Sequence, residues 1–161
     1  MTIRLAERAD LPAINAIYNH YVLHSTCTYD DEPTTEAERD AWFELHRGSY
    51  PATVALIDDE VVGWGSLSAY RGRCAYRFTV ENSVYVREDC QRRGIGGTLL
   101  ADLIVRAKEL ELHSIVAGID SEQEGSILLH EKHGFVTVAH LQQVGYKFRR
   151  WLDVVFMQRM L

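Results

Sequence analysis

An alternating run, Val80 to Val86, leads within a few positions into the turn Gln91-Arg92-Arg93-Gly94-Ile95-Gly96-Gly97, and Leu99, Leu100, Leu103, Ile104 and Ala107 then recur at helical spacing. This order constrains the chain more than any other feature. The alternation sets one face of a strand on a core and the helical spacing sets one face of a helix there too, so the glycines must join the two in a tight turn. Glycine removes the Cβ atoms that would block a ligand, and successive backbone N–H groups can then converge at a helix N-terminus, where phosphates bind. Arg92 and Arg93 add positive charge beside that turn. Two familiar nucleotide loops do not fit. A dinucleotide fingerprint needs G-x-G-x-x-G after a core strand, whereas Gly94, Gly96 and Gly97 follow Arg87-Glu88-Asp89; a P-loop needs Lys-Ser/Thr, and Thr98 follows Gly97 with no lysine before it. Taken alone, the motif leaves open a plain glycine-containing loop with solvated arginines.

With 161 residues, 47% hydrophobic and 25% charged, the chain reads as one domain spanning 1–161. No apolar run has the length of a membrane span, and Met1 to Asp10 is too charged for a secretory signal, so a cytoplasmic protein without membrane contact is expected. Cys27, Cys74 and Cys90 lie far apart and form no C-x-x-C pair. His130-Glu131-Lys132-His133 lacks H-E-x-x-H spacing, and His20 with His24 has no third ligand, so no metal is expected. The net charge of −6 argues against nucleic acid.

Ile3 to Leu5 reads as a strand, and Asp10 as the N-cap of a helix running to about His24. Thr35-x-x-Glu38 is a capping box that opens a second helix through Trp42, Phe43 and Leu45. Thr53 to Ile57 and Val61 to Tyr70 flank Asp58-Asp59-Glu60 as an antiparallel hairpin. Ile115 to Ile119 is a short strand, and Glu124 to His133 a short helix stopped by Gly134. Phe135 to Leu141 and Val154 to Met160 close the chain as strands, and the segment Gln142 to Asp153 between them carries Gly145 and a basic run. The sum is an α/β domain with a mixed, mostly antiparallel sheet flanked by helices.

The pattern Q/R-x-x-G-x-G/A, filled by Gln91, Gly94 and Gly96, resembles the pyrophosphate-binding signature of the GNAT superfamily of acyl-CoA N-acyltransferases, whose element order is also similar. Ile17-Tyr18-Asn19-His20, Thr79 to Val86, His130-Glu131-Lys132 with Gly134-Phe135, Val144 to Phe148 and Arg150 to Asp153 together resemble the phosphinothricin and methionine sulfoximine (sulfone) acetyltransferases. That resemblance implies acetyl transfer from acetyl-CoA to the α-amine of a small amino-acid analogue, with no metal. It implies that Val84, Tyr85 and Val86 pair with the pantetheine and that Arg92, Arg93, Gly94, Ile95, Gly96 and Gly97 hold the pyrophosphate. Gln123 stands where the family usually has an asparagine contacting the cofactor, and Arg149 where it usually has glycine. It further implies a homodimer, for which Phe148, Trp151 and Phe156 could supply a face.

An amine is an ammonium ion at neutral pH, so acyl transfer needs a base. Alternation sets Glu81 with Ser83 and Tyr85 on one face of the strand that leads to the glycine turn, and the resemblance makes this glutamate the base. Burial among Tyr76, Tyr85 and Phe78 is expected to raise its pKa. The plain alternative is an exposed strand glutamate. His130, seven after Gln123, occupies the position from which the resemblance implies proton donation to the leaving thiolate; a structural histidine is the alternative. Main-chain amides of Val84 to Val86 suit the thioester carbonyl. Arg71, Arg73, Tyr76 and Arg77 suit the anionic end of an amino acid, with Tyr29 and Lys147 as further substrate-binding candidates. Two other functions stay open: acetylation of another small amine or a peptide N-terminus, and a CoA-binding sensor without turnover.

Overall fold

The computed structural model describes residues 1–48 and 50–161. In chain order the elements are β1 (Thr2–Leu5), α1 (Leu11–His24), α2 (Glu36–Leu45), β2 (Ala52–Ile57), β3 (Glu60–Ala69), β4 (Thr79–Val86), α3 (Ile95–Glu109), β5 (Ser114–Asp120), α4 (Glu124–Lys132), β6 (Val136–Lys147) and β7 (Arg150–Met160). The strands form one sheet in the order β1-β2-β3-β4-β5-β7-β6. Every neighbouring pair is antiparallel except β4–β5. The α/β reading with a mixed, mostly antiparallel sheet holds.

Alternation along β2 explains the two helical layers. Val54 joins Leu11, Ile14, Ile17, Phe43 and Trp64 under α1 and α2, while Ala55 points to the opposite face with Val62, Cys90, Ile95 and Leu99. The stripe read from the sequence of α3 is buried on that second face, where Leu99, Leu100 and Leu103 are fully enclosed. Each contributes roughly 1.5–3 kcal/mol, which mounts the glycine turn rigidly.

The parallel pair positions the site. β4 and β5 pair over Thr79–Glu81 and Ser114–Val116, and from there they diverge, β5 turning to pair along its length with β7. The sheet opens into a wedge at the level of Glu81.

Local expectations were met unevenly. Thr35 caps α2 through Glu38 N–H, and the Glu38 carboxylate accepts from Thr35 N–H, as the capping box requires. Asp58 and Asp59, at φ 50° and 63°, make the two-residue hairpin turn between β2 and β3. Gly134, at φ 79°, follows the end of α4. Asp10 does not cap α1. Its backbone is already helical and its carboxylate accepts from Arg4 at 2.7 and 2.9 Å and from Glu7 N–H at 2.8 Å, so it ties α1 to β1 instead. The strand bounds read at Leu141 and Val154, with Gln142 to Asp153 between them, are also corrected. Both strands continue through that segment, with Gly145 paired to Leu152 and Tyr146 to Trp151, and the chain reverses at Phe148–Arg149, φ 51° and 61°. Gly145 lies against the Tyr29 ring and Lys147 is buried, while Arg149 and Arg150 sit exposed at the reversal.

Candidate active site

The wedge continues into a cleft of about 680 Å³ that runs from the glycine turn, between β4 and β5, to Glu81 and Asp120. Its backbone wall follows from strand pairing. Thr79 C=O accepts from Tyr70 N–H and Val62 C=O from Arg87 N–H, so the ladder turns the polar main-chain groups of Thr79, Glu81, Ser83 and Tyr85 toward β3. Those of Val84 and Val86 therefore face the gap, while Asn82 N–H lies on the β5 side next to the last paired position, Glu81–Val116. Val86 C=O accepts from the Tyr21 hydroxyl, which in turn accepts from Gln91 Nε2. Of the three residues assigned to the pantetheine, Val84 and Val86 offer main-chain groups to the gap. Tyr85 does not; its backbone is committed to Trp64, and its ring stacks on the indole 4.9 Å away.

At the other end of β4, Thr98 N–H donates to Gly94 C=O as the first turn of α3 closes. The N–H groups of Ile95, Gly96 and Gly97 precede that bond and have no intrahelical acceptor. Gly94 lies at φ 81°, with open space around the position of a Cβ, and Arg92 is also left-handed at φ 59°. Arg92, Gly94, Ile95, Gly96 and Gly97 line the cleft, while Arg93 is exposed beside it. Helix dipole, free N–H groups and the Arg92 guanidinium together suit a pyrophosphate. The donor set therefore fits acetyl-CoA, with Val84 and Val86 for its amide-bearing arm.

The end of the cleft away from the glycine turn is acidic. Glu81 is half-buried, and its Oε1 lies 3.4 Å from where a Cβ on Gly118 would stand, with Phe156 flanking the same spot. Desolvation raises its pKa above that of an ordinary glutamate. Gly118 and Phe156 flank the carboxylate in the part expected of Tyr76 and Phe78, both of which are exposed on the β3–β4 side. Asp120 is buried, accepting from Glu122 N–H and from the Tyr29 hydroxyl at 2.9 Å. Tyr29 lines the cleft as expected, and burial followed by the bond to Asp120 pushes its phenol pKa upward. Gln123 lines it too, donating to Thr26 at 3.3 Å.

His130 is in the wall, but in a form different from a free proton donor. Its Nδ1 lies 2.8 Å from Ser126 C=O, which can only accept, so Nδ1 carries the proton. Its Nε2 is then a lone pair, facing Asn82 Nδ2 at 3.0 Å. Burial lowers its pKa and keeps the ring neutral.

Five substrate-binding candidates are not brought to the cleft. Arg71, Arg73, Tyr76 and Arg77 lie exposed on the loop between β3 and β4, where a 3-10 turn, Cys74–Tyr76, directs them outward. Arg71 covers the Tyr70 ring, and Arg77 covers Phe78 and donates to Cys74 C=O. Lys147 is buried, and its ammonium donates to Ser25 and Thr28 C=O, both at 2.8 Å; it braces the Thr26–Tyr29 wall from behind. Desolvation lowers its pKa. The sequence reading missed Asn82, Asp120, Thr26, Thr28 and Tyr21 as wall residues. Asp120 carried a signal, being a polar residue at the C-terminal end of a short apolar strand beside a parallel neighbour.

Among the described residues no group of three His, Cys, Asp or Glu side chains is placed to hold a metal ion, and no helix is long and apolar enough to cross a membrane.

Comparison with known proteins agrees with this geometry. Residues 14–135 match the Acetyltransferase (GNAT) family. The chain is 43% identical to an L-methionine sulfoximine/L-methionine sulfone acetyltransferase of Salmonella typhimurium, over 100% of this chain and 95% of that protein. It is 40% identical to a phosphinothricin N-acetyltransferase of Alcaligenes faecalis, over 99% and 82%. The crystal structure of a GNAT superfamily phosphinothricin acetyltransferase from Sinorhizobium meliloti in complex with acetyl-CoA superposes with a TM-score of 0.97 at 40% identity, covering 99% of this chain and 88% of that one.

Proposed function

The chain belongs to the GNAT acetyltransferase family, and on that premise we propose that residues 1–161 form one domain that acetylates the α-amine of a small amino acid of the methionine sulfoximine, methionine sulfone or phosphinothricin type. Acetyl-CoA supplies the activated acetyl group. The observation that carries the reading is Glu81: a half-buried carboxylate with raised proton affinity, at the point where the wedge meets the acceptor end of a cleft whose far end suits a pyrophosphate. Among the described residues its carboxylate receives no hydrogen bond, so both oxygens remain available to take a proton from an ammonium group, directly or through one water. Main-chain groups of Val84 and Val86 orient the thioester arm, and N–H groups of Ile95, Gly96 and Gly97 hold its phosphates. Asp120 adds a second negative charge that favours a cationic amine at this end.

One observation favours a second reading, an acceptor without an anionic end. Among the described residues lining the cleft, Arg92 is the one Arg or Lys side chain, and it stands at the phosphate end. A single experiment separates the two. Thiol release from acetyl-CoA is measured across methionine sulfoximine, methionine sulfone, phosphinothricin, ordinary amino acids and polyamines, with Glu81→Gln as control. Turnover confined to the amino-acid analogues and lost in Glu81→Gln supports the first reading. Turnover confined to polyamines supports the second, and silence across the panel despite CoA binding points to a sensor.

The same reading takes the protein as a cytoplasmic homodimer. Free Cys27, Cys74 and Cys90 suit a reducing compartment. The exposed Val144, Tyr146, Phe148 and Trp151 on the β6–β7 ribbon suit a face covered by a second copy.

A further inference from the structure

Asn82 is nine-tenths buried, lines the cleft, and has its Oδ1 enclosed without a hydrogen-bond donor. A buried acceptor left unmade costs free energy, so native structures rarely keep one without a reason. The amide cannot turn to relieve it. His130 Nδ1 must donate to Ser126 C=O, which leaves a lone pair on Nε2, and only the Nδ2 edge of Asn82 matches that lone pair. Turning the amide would set Oδ1 against Nε2, two acceptors at about 3.0 Å. The edge-to-face contact of Phe135 on the imidazole, with ring centres 5.0 Å apart, holds the ring itself. Four groups in series, Ser126 C=O, His130 Nδ1, His130 Nε2 and Asn82 Nδ2, thus fix the amide of a cleft-lining residue with its one acceptor atom unpaired.

We infer that Asn82 is a binding residue, its Oδ1 accepting a hydrogen bond from a donor on the arm of the acyl-CoA cosubstrate, and that His130 is the positioning residue that aims it. This rests on the acetyl-CoA reading above. The donor is an amide N–H or the thiol S–H of the free cosubstrate; the two share the chemistry and differ in which ligands carry them.

Calorimetric titration of the full chain with CoA, acetyl-CoA and desulfo-CoA tests it. Asn82→Leu keeps the side-chain shape and removes both polar atoms. It is expected to weaken all three ligands by roughly five- to tenfold if the donor is an amide, and CoA alone if it is the thiol. His130→Phe is expected to lose the same factor, and the double variant no more than either single one, because both changes remove one hydrogen bond. Asn82→Ser, shorter and still polar, serves where the leucine variant does not fold, and should weaken binding alike. Independently of any ligand, the ¹⁵N spectrum of His130 should show Nδ1 protonated and Nε2 bare. Unchanged affinities in the Asn82 variants, or a protonated Nε2 in the free protein, overturn the inference. A wild-type chain that binds none of the three ligands overturns the acetyl-CoA reading itself and takes this one with it.

Discussion

The burial that suits Glu81 to act as a base also makes the folded chain less tolerant of its charge. An unfolded glutamate titrates near 4.5 and the folded one higher, so the folded state binds the proton more tightly. Its stabilising contribution is full below 4.5 and is lost as pH rises through the folded value; at neutral pH the ionised carboxylate works against the fold. Glu81→Gln is therefore expected to lower kcat/KM by about 10²- to 10³-fold and yet raise Tm by a few degrees at pH 7, the gain vanishing below pH 4.5. Thermal melts at both pH values check it, and an unchanged Tm at pH 7 would contradict the burial argument. In the wild type, the acid limb of kcat/KM should lie above 4.5 for the same reason. Glu81 was legible in the sequence because strand alternation gives its face. What buries it was not: Gly118 and Phe156 reach it from β5 and β7, far away in sequence. His130 was legible as a position and not as a chemical form, because its tautomer depends on Ser126 and Asn82 together.

At the scale of elements, the β6–β7 ribbon shows two glycine-related constraints of opposite sign. Gly145 sits where a Cβ would come within 2.4 Å of the Tyr29 ring, so the ring packs directly on its backbone. Gly145→Ala should push that ring away, loosen its bond to Asp120, and cost about 1–3 kcal/mol by overpacking. It should also raise KM for the acceptor more than KM for acetyl-CoA, since Tyr29 stands at the acceptor end; steady-state kinetics and a denaturant melt read the two effects. Arg149 is the reverse case, a side chain at φ 61° in the reversal, where backbone of that hand favours glycine. Left-handed backbone costs an L-residue about 1–2 kcal/mol, and the extra chain entropy of glycine returns part of that, so Arg149→Gly should stabilise by roughly 0.5–1 kcal/mol. A lower denaturation midpoint in this variant would show that the turn relies on the arginine side chain. The Thr35–Glu38 capping box, the hairpin at Asp58–Asp59 and the α3 stripe were legible because each is local. The continuation of β6 and β7 through Gln142 to Asp153 was not, because it depends on pairing between strands and on a bulge near Gln143, itself at φ 53°.

For the molecule as a whole, the exposed Val144, Tyr146 and Trp151 set an expectation of a dimer in solution. Light scattering on the eluting protein should give twice the chain mass, and Trp151→Glu should halve it; a monomeric wild type would remove the basis for the second copy. The sequence by itself determined the mixed α/β architecture, the mounting of the glycine turn on α3, the free backbone N–H groups at that turn and the face of Glu81, because each follows from periodicity or from backbone freedom within a few consecutive residues. Tertiary structure alone decided the wedge between β4 and β5, the acidic partner Asp120, the bracing of the wall by Lys147, the outward turn of Arg71, Arg73 and Arg77, and the engagement of both His130 nitrogens. Those features are set by which distant segments meet, and a hydrogen bond or a buried charge has its chemistry defined by the partner across that contact.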